Sequence, residues 1–163
     1  MPRLTIEGGP SLNGSVSASG AKNAALPLLA ATLMMDGKTI LTNVPHLEDI
    51  RMMIRMLTNL GVHVEYQNNN TIHIWNKRKI KHIAPYELVT AMRASFFVAG
   101  PILAKTGYAK VPLPGGCLIG KRPVDIHLDG FKALGATVRL EHGFVGLTAS
   151  KLKGALIRFP FPS

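Results

Sequence analysis

Apolar residues recur along this chain in two registers, one helical and one alternating, and the order in which the registers appear is itself repeated. Residues 21–45 open with an apolar helix, AKNAALPLLAATLMM, followed by a turn at Asp36-Gly37, a short strand KTILTN, and Val44-Pro45. Residues 92–114 follow the same course: MRASFFVAGPILAKT, Gly107, the strand YAKVPL, and Pro114. Leu47, Ile50, Ile54, Leu57 and Leu60 then fall at helical spacing, which predicts a helix over 47–60. A shorter amphipathic helix is predicted over 123–134. Each of these helices ends in Leu-Gly and leads into a strand, a turn and a second strand, VHVEYQNNNTIHIW in one copy and TVRLEHGFVGLTA in the other. The offset between copies drifts from 70 residues (Gly37 to Gly107) to 74 (Leu60 to Leu134), so the repeat is structural rather than an unbroken duplication.

The pattern predicts an α+β fold made of repeated helix-strand-helix-strand-strand units. Units of this kind bury their apolar faces against one another, and about three are needed for a closed core. Two are visible, together with an amino-terminal strand LTIEG (4–8) and the start of a further strand GALIRF (154–159). The expectation is therefore an incomplete domain.

Composition narrows the classes. At 163 residues the chain is long enough for a real core, and 47% hydrophobic residues with 16 Gly and 11 Pro describe a turn-rich globular chain. The net charge of +10 attracts polyanions, whether nucleic acid, anionic lipid or phosphorylated metabolites, without choosing among them. The basic run Lys77–Lys81 has only Trp75 near it for base stacking, so it reads as a solvated loop rather than a nucleic-acid patch. With one cysteine, Cys117, no internal disulfide can form, which fits a reducing, cytoplasmic compartment. The apolar runs 24–35 and 94–104 are short of the ~20 residues that span a bilayer, so no membrane association is expected. The six histidines, at 46, 63, 73, 82, 127 and 142, are scattered without metal-ligand spacing, and neither a metal nor a cofactor is expected.

Three segments could carry chemistry. Ser19-Gly20-Ala21-Lys22-Asn23 opens the first apolar helix, where unpaired amides and the helix dipole favour an anion, and Lys22 and Asn23 would add donors. Ordinary capping by Ser19 explains the same residues. Arg93, at the head of an otherwise apolar helix, is suited either to a phosphate or carboxylate clamp or to a structural ion pair. The segment Pro114-Gly115-Gly116-Cys117-Leu118-Ile119-Gly120-Lys121-Arg122-Pro123 frames the lone cysteine with glycines and two cations. Its backbone can fold over a ligand, and the cations would favour the thiolate, although a single cysteine is often just a small buried hydrophobe.

These segments, SGAKNAALP (19–27), APYELVTAMRAS (84–95) and LPGGCLIGKRPVDIH (113–127), closely resemble the successive motifs of the UDP-N-acetylglucosamine 1-carboxyvinyltransferases, members of the enolpyruvyl transferase family. The shikimate-pathway enolpyruvyl transferases resemble the chain less, since they lack the Pro-Gly-Gly-Cys loop. The resemblance implies part of an inside-out α/β barrel, with helices packed inside and sheets facing outward. It implies transfer of the carboxyvinyl group of phosphoenolpyruvate to the 3-hydroxyl of UDP-N-acetylglucosamine, the first committed step of peptidoglycan synthesis. It assigns Lys22, Asn23, Cys117 and Arg122 to phosphoenolpyruvate. Asn23, Arg93, Arg122, Pro123, Val124, Asp125, Ile126 and Ser163 fall to the nucleotide sugar, and Cys117, Lys22 and Arg122 to catalysis. It also implies that residues 1–20 belong with a second domain, and that 21–163 form an incomplete domain with two of about three units. The family's second domain, expected to supply the base, lies outside this sequence. The expectation is a truncated part that is inactive by itself; the alternative is a catalytically silent binding module that needs a partner chain and self-associates through uncovered apolar surface.

Overall fold

The computed structural model describes residues 3–9, 11–67, 70–76, 79–114 and 124–159, with only the backbone at Arg93. Helix α1 (Lys22–Ala31) runs into a 3-10 turn (Thr32–Met34) and strand β1 (Gly37–Leu41). Helix α2 (Glu48–Asn59) leads to the hairpin β2 (His63–Gln67) and β3 (Thr71–Asn76). The second unit comprises α3 (Tyr86–Ala91), a 3-10 turn (Arg93–Val98), α4 (Ala99–Thr106) and β4 (Tyr108–Pro112). It ends with α5 (Asp125–Ala133) and the hairpin β5 (Thr137–Glu141) and β6 (Phe144–Thr148). Both sheets are antiparallel and share one topology, β1-β3-β2 and β4-β6-β5, so the repeat predicted from the pattern is a repeat of structure.

Each sheet turns one face to the helices. On the central strands Ile72, Ile74, Val145 and Leu147 are fully buried, while alternate residues face out. The helices lie on the inner faces and share one core, in which Leu29, Ile50, Met53, Leu57 and Ile102 have no exposed surface. Alpha-helix α2 shows why: its polar residues alternate with Ile50, Met53, Met56 and Leu57, which form one buried stripe. The units are tied directly by Lys105 at the end of α4. Its Nζ donates to the Met35 carbonyl (3.2 Å) and to Asp36 Oδ1 (2.8 Å), and its side chain is only 11% exposed. Lys105→Ala is expected to lower unfolding stability by about 1–2 kcal/mol, read from the urea midpoint.

Three expectations are modified. The helix predicted over 92–106 is broken into the 3-10 turn and α4. Proline lacks the amide for an α-helical bond, and α4 places Pro101 in its first turn, where that amide would have no partner within the helix. The left-handed Gly107 (φ 75°) then ends α4, its N–H returning to the Leu103 carbonyl at 2.8 Å. Leu4–Gly8 and Gly154–Phe159, both expected as strands, pair with neither sheet. Leu4 and Ile6 are 84% and 83% exposed, and Leu156 82%. A strand must place its backbone hydrogen bonds along a neighbouring edge, and neither stretch is paired to an edge of the two sheets.

Candidate active site

The amino-terminal end of α1 opens onto a cleft of about 560 Å³ between the two units. Lys22, Asn23 and Leu26 line it from α1, and Asp49 from the first turn of α2. Ala91, Met92, Ala94, Phe96 and Phe97 form a wall from the second unit, and Val124 with His127 closes it at the start of α5. Phe96 meets the His127 ring edge-on at 5.7 Å and Phe97 lies 6.3 Å from it, so this wall is aromatic and largely apolar.

The position of Lys22 follows from a backbone strap. Asn43, in the left-handed region (φ 54°), turns its side chain so that Oδ1 accepts the Gly20 N–H at 3.0 Å. A Cβ at Gly20 would lie 1.7 Å from the Asn43 carbonyl oxygen, so only glycine permits this approach. The strap fixes the residue preceding Ala21, whose carbonyl accepts the first amides of the helix, from Ala24 and Ala25. Ser19, the expected cap, is not the residue at the helix boundary; that is Ala21, which makes no side-chain cap bond. The helix amides are therefore left without a side-chain cap and point toward the cleft end of α1. Pro27 within α1 also removes the amide that would bond the Asn23 carbonyl.

Lys22 Nζ is 2.7 Å from Asp49 Oδ2, with side chains 45% and 37% exposed. Its charge is thus shared with a carboxylate inside the cleft. Asp49→Asn is expected to raise anion affinity at the cleft about two- to fivefold, because an exposed pair contributes only about 0.2–1 kcal/mol and that competition disappears. Titration with phosphoenolpyruvate measures it.

The structure brings Lys22, Asn23 and Val124 into one cleft across about a hundred residues of sequence. Asp125 and Ile126 follow Val124 as the first turn of α5. The backbone of Arg93 runs between Met92 and Ala94, which both line the cleft; its side chain is outside what the structure describes. Cys117, Arg122, Pro123 and Ser163 lie outside the described residues. Asp49, Phe97, His127 and the supporting Asn43 were not singled out from sequence. Among the described residues no group of three His, Cys, Asp or Glu could hold a metal, and no helix is long and apolar enough to cross a membrane.

This two-unit fold is shared with solved structures. The enolpyruvyl transferase NikO from Streptomyces tendae superposes with TM-score 0.69 at 24% identity, over 89% of this chain and 32% of that one. An EPSP synthase from Acinetobacter baumannii gives 0.67 at 21%, over 92% and 35%. The fold is that of the enolpyruvyl transferases. The family model for EPSP synthase (3-phosphoshikimate 1-carboxyvinyltransferase) matches residues 6–163, and the chain belongs to this enolpyruvyl transferase family. Curated relatives named UDP-N-acetylglucosamine 1-carboxyvinyltransferase match more closely in sequence. That of Gloeobacter violaceus is 54% identical over 99% of this chain and 35% of its own length, and that of Elusimicrobium minutum 53% over 100% and 38%. The chain thus spans between a third and two fifths of these relatives' length.

Proposed function

We propose that this chain forms part of an enzyme that transfers the enolpyruvyl group of phosphoenolpyruvate to the 3-hydroxyl of UDP-N-acetylglucosamine in the cytoplasm, a step of peptidoglycan synthesis. The observation that carries this reading is the cleft itself, which joins Lys22 and Asn23 at an uncapped helix terminus to Val124 at the head of α5. Identity of 54% to relatives bearing that name, against 21% to an EPSP synthase, favours the nucleotide sugar over a shikimate as acceptor.

Under this reading Lys22 and Asn23 hold the phosphate and carboxylate of phosphoenolpyruvate, assisted by the amides of α1. Arg93 and the Arg122–Ile126 segment, with Ser163, hold the diphosphate and sugar. Cys117 gives its proton to the methylene carbon of phosphoenolpyruvate, which leaves the adjacent carbon electrophilic. The sugar 3-hydroxyl oxygen bonds to that carbon as a base takes its proton, giving a tetrahedral phosphate-bearing intermediate. Loss of phosphate from one carbon and of a proton from the other restores the double bond as an enol ether. The base at the sugar hydroxyl, and the domain with which residues 1–20 associate, lie outside residues 21–163. The complete gene product should release inorganic phosphate from phosphoenolpyruvate only when UDP-N-acetylglucosamine is present. Absence of that release with intact motifs would end the proposal.

A second reading is a silent binding module that works with another chain. The exposed Leu28, Met34 and Met35, at 54%, 50% and 55%, favour it. It predicts sedimentation that shifts with concentration and an absence of turnover; a monomer that turns over would rule it out.

A further inference from the structure

The outer face of the β4-β6-β5 sheet carries a second hollow, about 370 Å³, remote from the α1 cleft and sharing no residue with it. Strand register shows how it is built. Lys110 pairs with Gly146, and Gly146 with Arg139, so one row across three strands reads cation, glycine, cation. A Cβ at Gly146 would meet nothing nearer than 3.8 Å, so the glycine leaves open floor between two long side chains on strands roughly 10 Å apart. The neighbouring row, Tyr108, Thr148 and Thr137, offers three hydroxyls. On the other side Phe144 supports Lys110, whose Nζ sits 4.9 Å from the ring centroid, and Glu141 closes the row.

Neither cation is held in an ion pair: among the described residues Lys110 and Arg139 have no carboxylate within 4.0 Å. The backbone at Lys110 is also held in place. Its N–H donates to the His82 carbonyl at 2.8 Å and its carbonyl accepts from Ala84 at 3.0 Å, so β4 is flanked on both sides. The first sheet shows that this is no general property of the repeat. Superposing the buried centres Ile74 and Leu147 puts Ile40, His73 and Glu65 where Lys110, Gly146 and Arg139 stand. There the floor is filled and the cations are absent.

We propose that this hollow is a binding site for the phosphoryl group of a small metabolite, distinct from the α1 cleft. The guanidinium fork of Arg139 and the Lys110 ammonium converge on the anion over Gly146, and the hydroxyl row supplies further donors away from Glu141. Two cations with hydroxyl donors suit the multiple charge and several acceptors of a phosphoryl group better than a single carboxylate. The inference does not rest on the proposed transferase activity, and either can fail alone.

The test uses the whole 163-residue chain carrying Lys22→Ala, which removes one cation of the cleft, titrated with inorganic pyrophosphate and followed by amide resonances, which report the two sites separately. Saturable shifts at Gly146 and Thr148 are expected. Arg139→Gln should weaken them about tenfold, the effect of removing one charged hydrogen-bonding partner. Gly146→Leu should abolish them while both cations and the melting temperature are retained. Unmoved resonances at Gly146 and Thr148, an unchanged affinity in Arg139→Gln, or equal binding of succinate would each overturn the proposal.

Discussion

Gly20→Ala is expected to destabilise the protein by about 1–3 kcal/mol, and to loosen anion binding at the cleft with it. The methyl group would sit 1.7 Å from the carbonyl oxygen of Asn43 and 2.9 Å from its carbonyl carbon. Both are main-chain atoms, so no side-chain rotation relieves the overlap. Asn43 cannot retreat cheaply either, because the next residue, Val44, is buried and its N–H donates to the Asn70 carbonyl at 2.8 Å. The segment before α1 must therefore move instead, breaking the Gly20 N–H to Asn43 Oδ1 bond and shifting the turn that presents Lys22 and Asn23. Gly8→Ala is the control: nothing lies within 4 Å of the added Cβ, and its effect should stay within ~0.5 kcal/mol. Urea unfolding of the two variants checks the stability difference, and phosphoenolpyruvate titration checks the site. If Gly20→Ala is as stable as Gly8→Ala, the strap does not form in solution.

Much of this was legible in the chain because the signals were local and periodic. Leu47 and Leu60 flank α2 as its boundary residues, and the hairpins fall where alternation and the Leu-Gly turns put them. The motif around Lys22 was visible too, since glycine and a cation before an apolar run mark a helix terminus able to take an anion. What escaped was long-range. Asp49 looks like any acid in a first helical turn, where the dipole alone justifies it; only the fold reveals Lys22 at 2.7 Å. Asn43 reads as a turn residue, and its bond to Gly20 spans 23 positions. Phe96 and Phe97 read as helix core, but they fall in the 3-10 turn ahead of α4, where Phe97 is 38% exposed and lines the cleft. Periodicity likewise identified strand-forming stretches at 4–8 and 154–159, but pairing depends on an available edge, which no local pattern encodes.

Lys22→Met is expected to weaken phosphoenolpyruvate binding by roughly 10- to 100-fold, from two effects of the same sign. The first is loss of a hydrogen bond from a cation to an anionic ligand, about 1.5–3 kcal/mol. The second is exposure of the Asp49 carboxylate, which Lys22 now neutralises from 2.7 Å and which would otherwise repel an arriving phosphate. The fold should hardly notice, since the pair is substantially solvated and contributes under about 1 kcal/mol. Methionine keeps the length and apolar stem of lysine, so the cleft wall stays filled while the charge goes. The double variant Lys22→Met, Asp49→Asn separates the two effects: it should bind more tightly than Lys22→Met alone, yet more weakly than Asp49→Asn. Raising salt should narrow these differences, because both charges are partly exposed. Binding by Lys22→Met equal to that of the parent would remove Lys22 from the site. A loss of affinity in Asp49→Asn, instead of the expected gain, would show that Asp49 holds Lys22 in its working position rather than competing with the ligand for it.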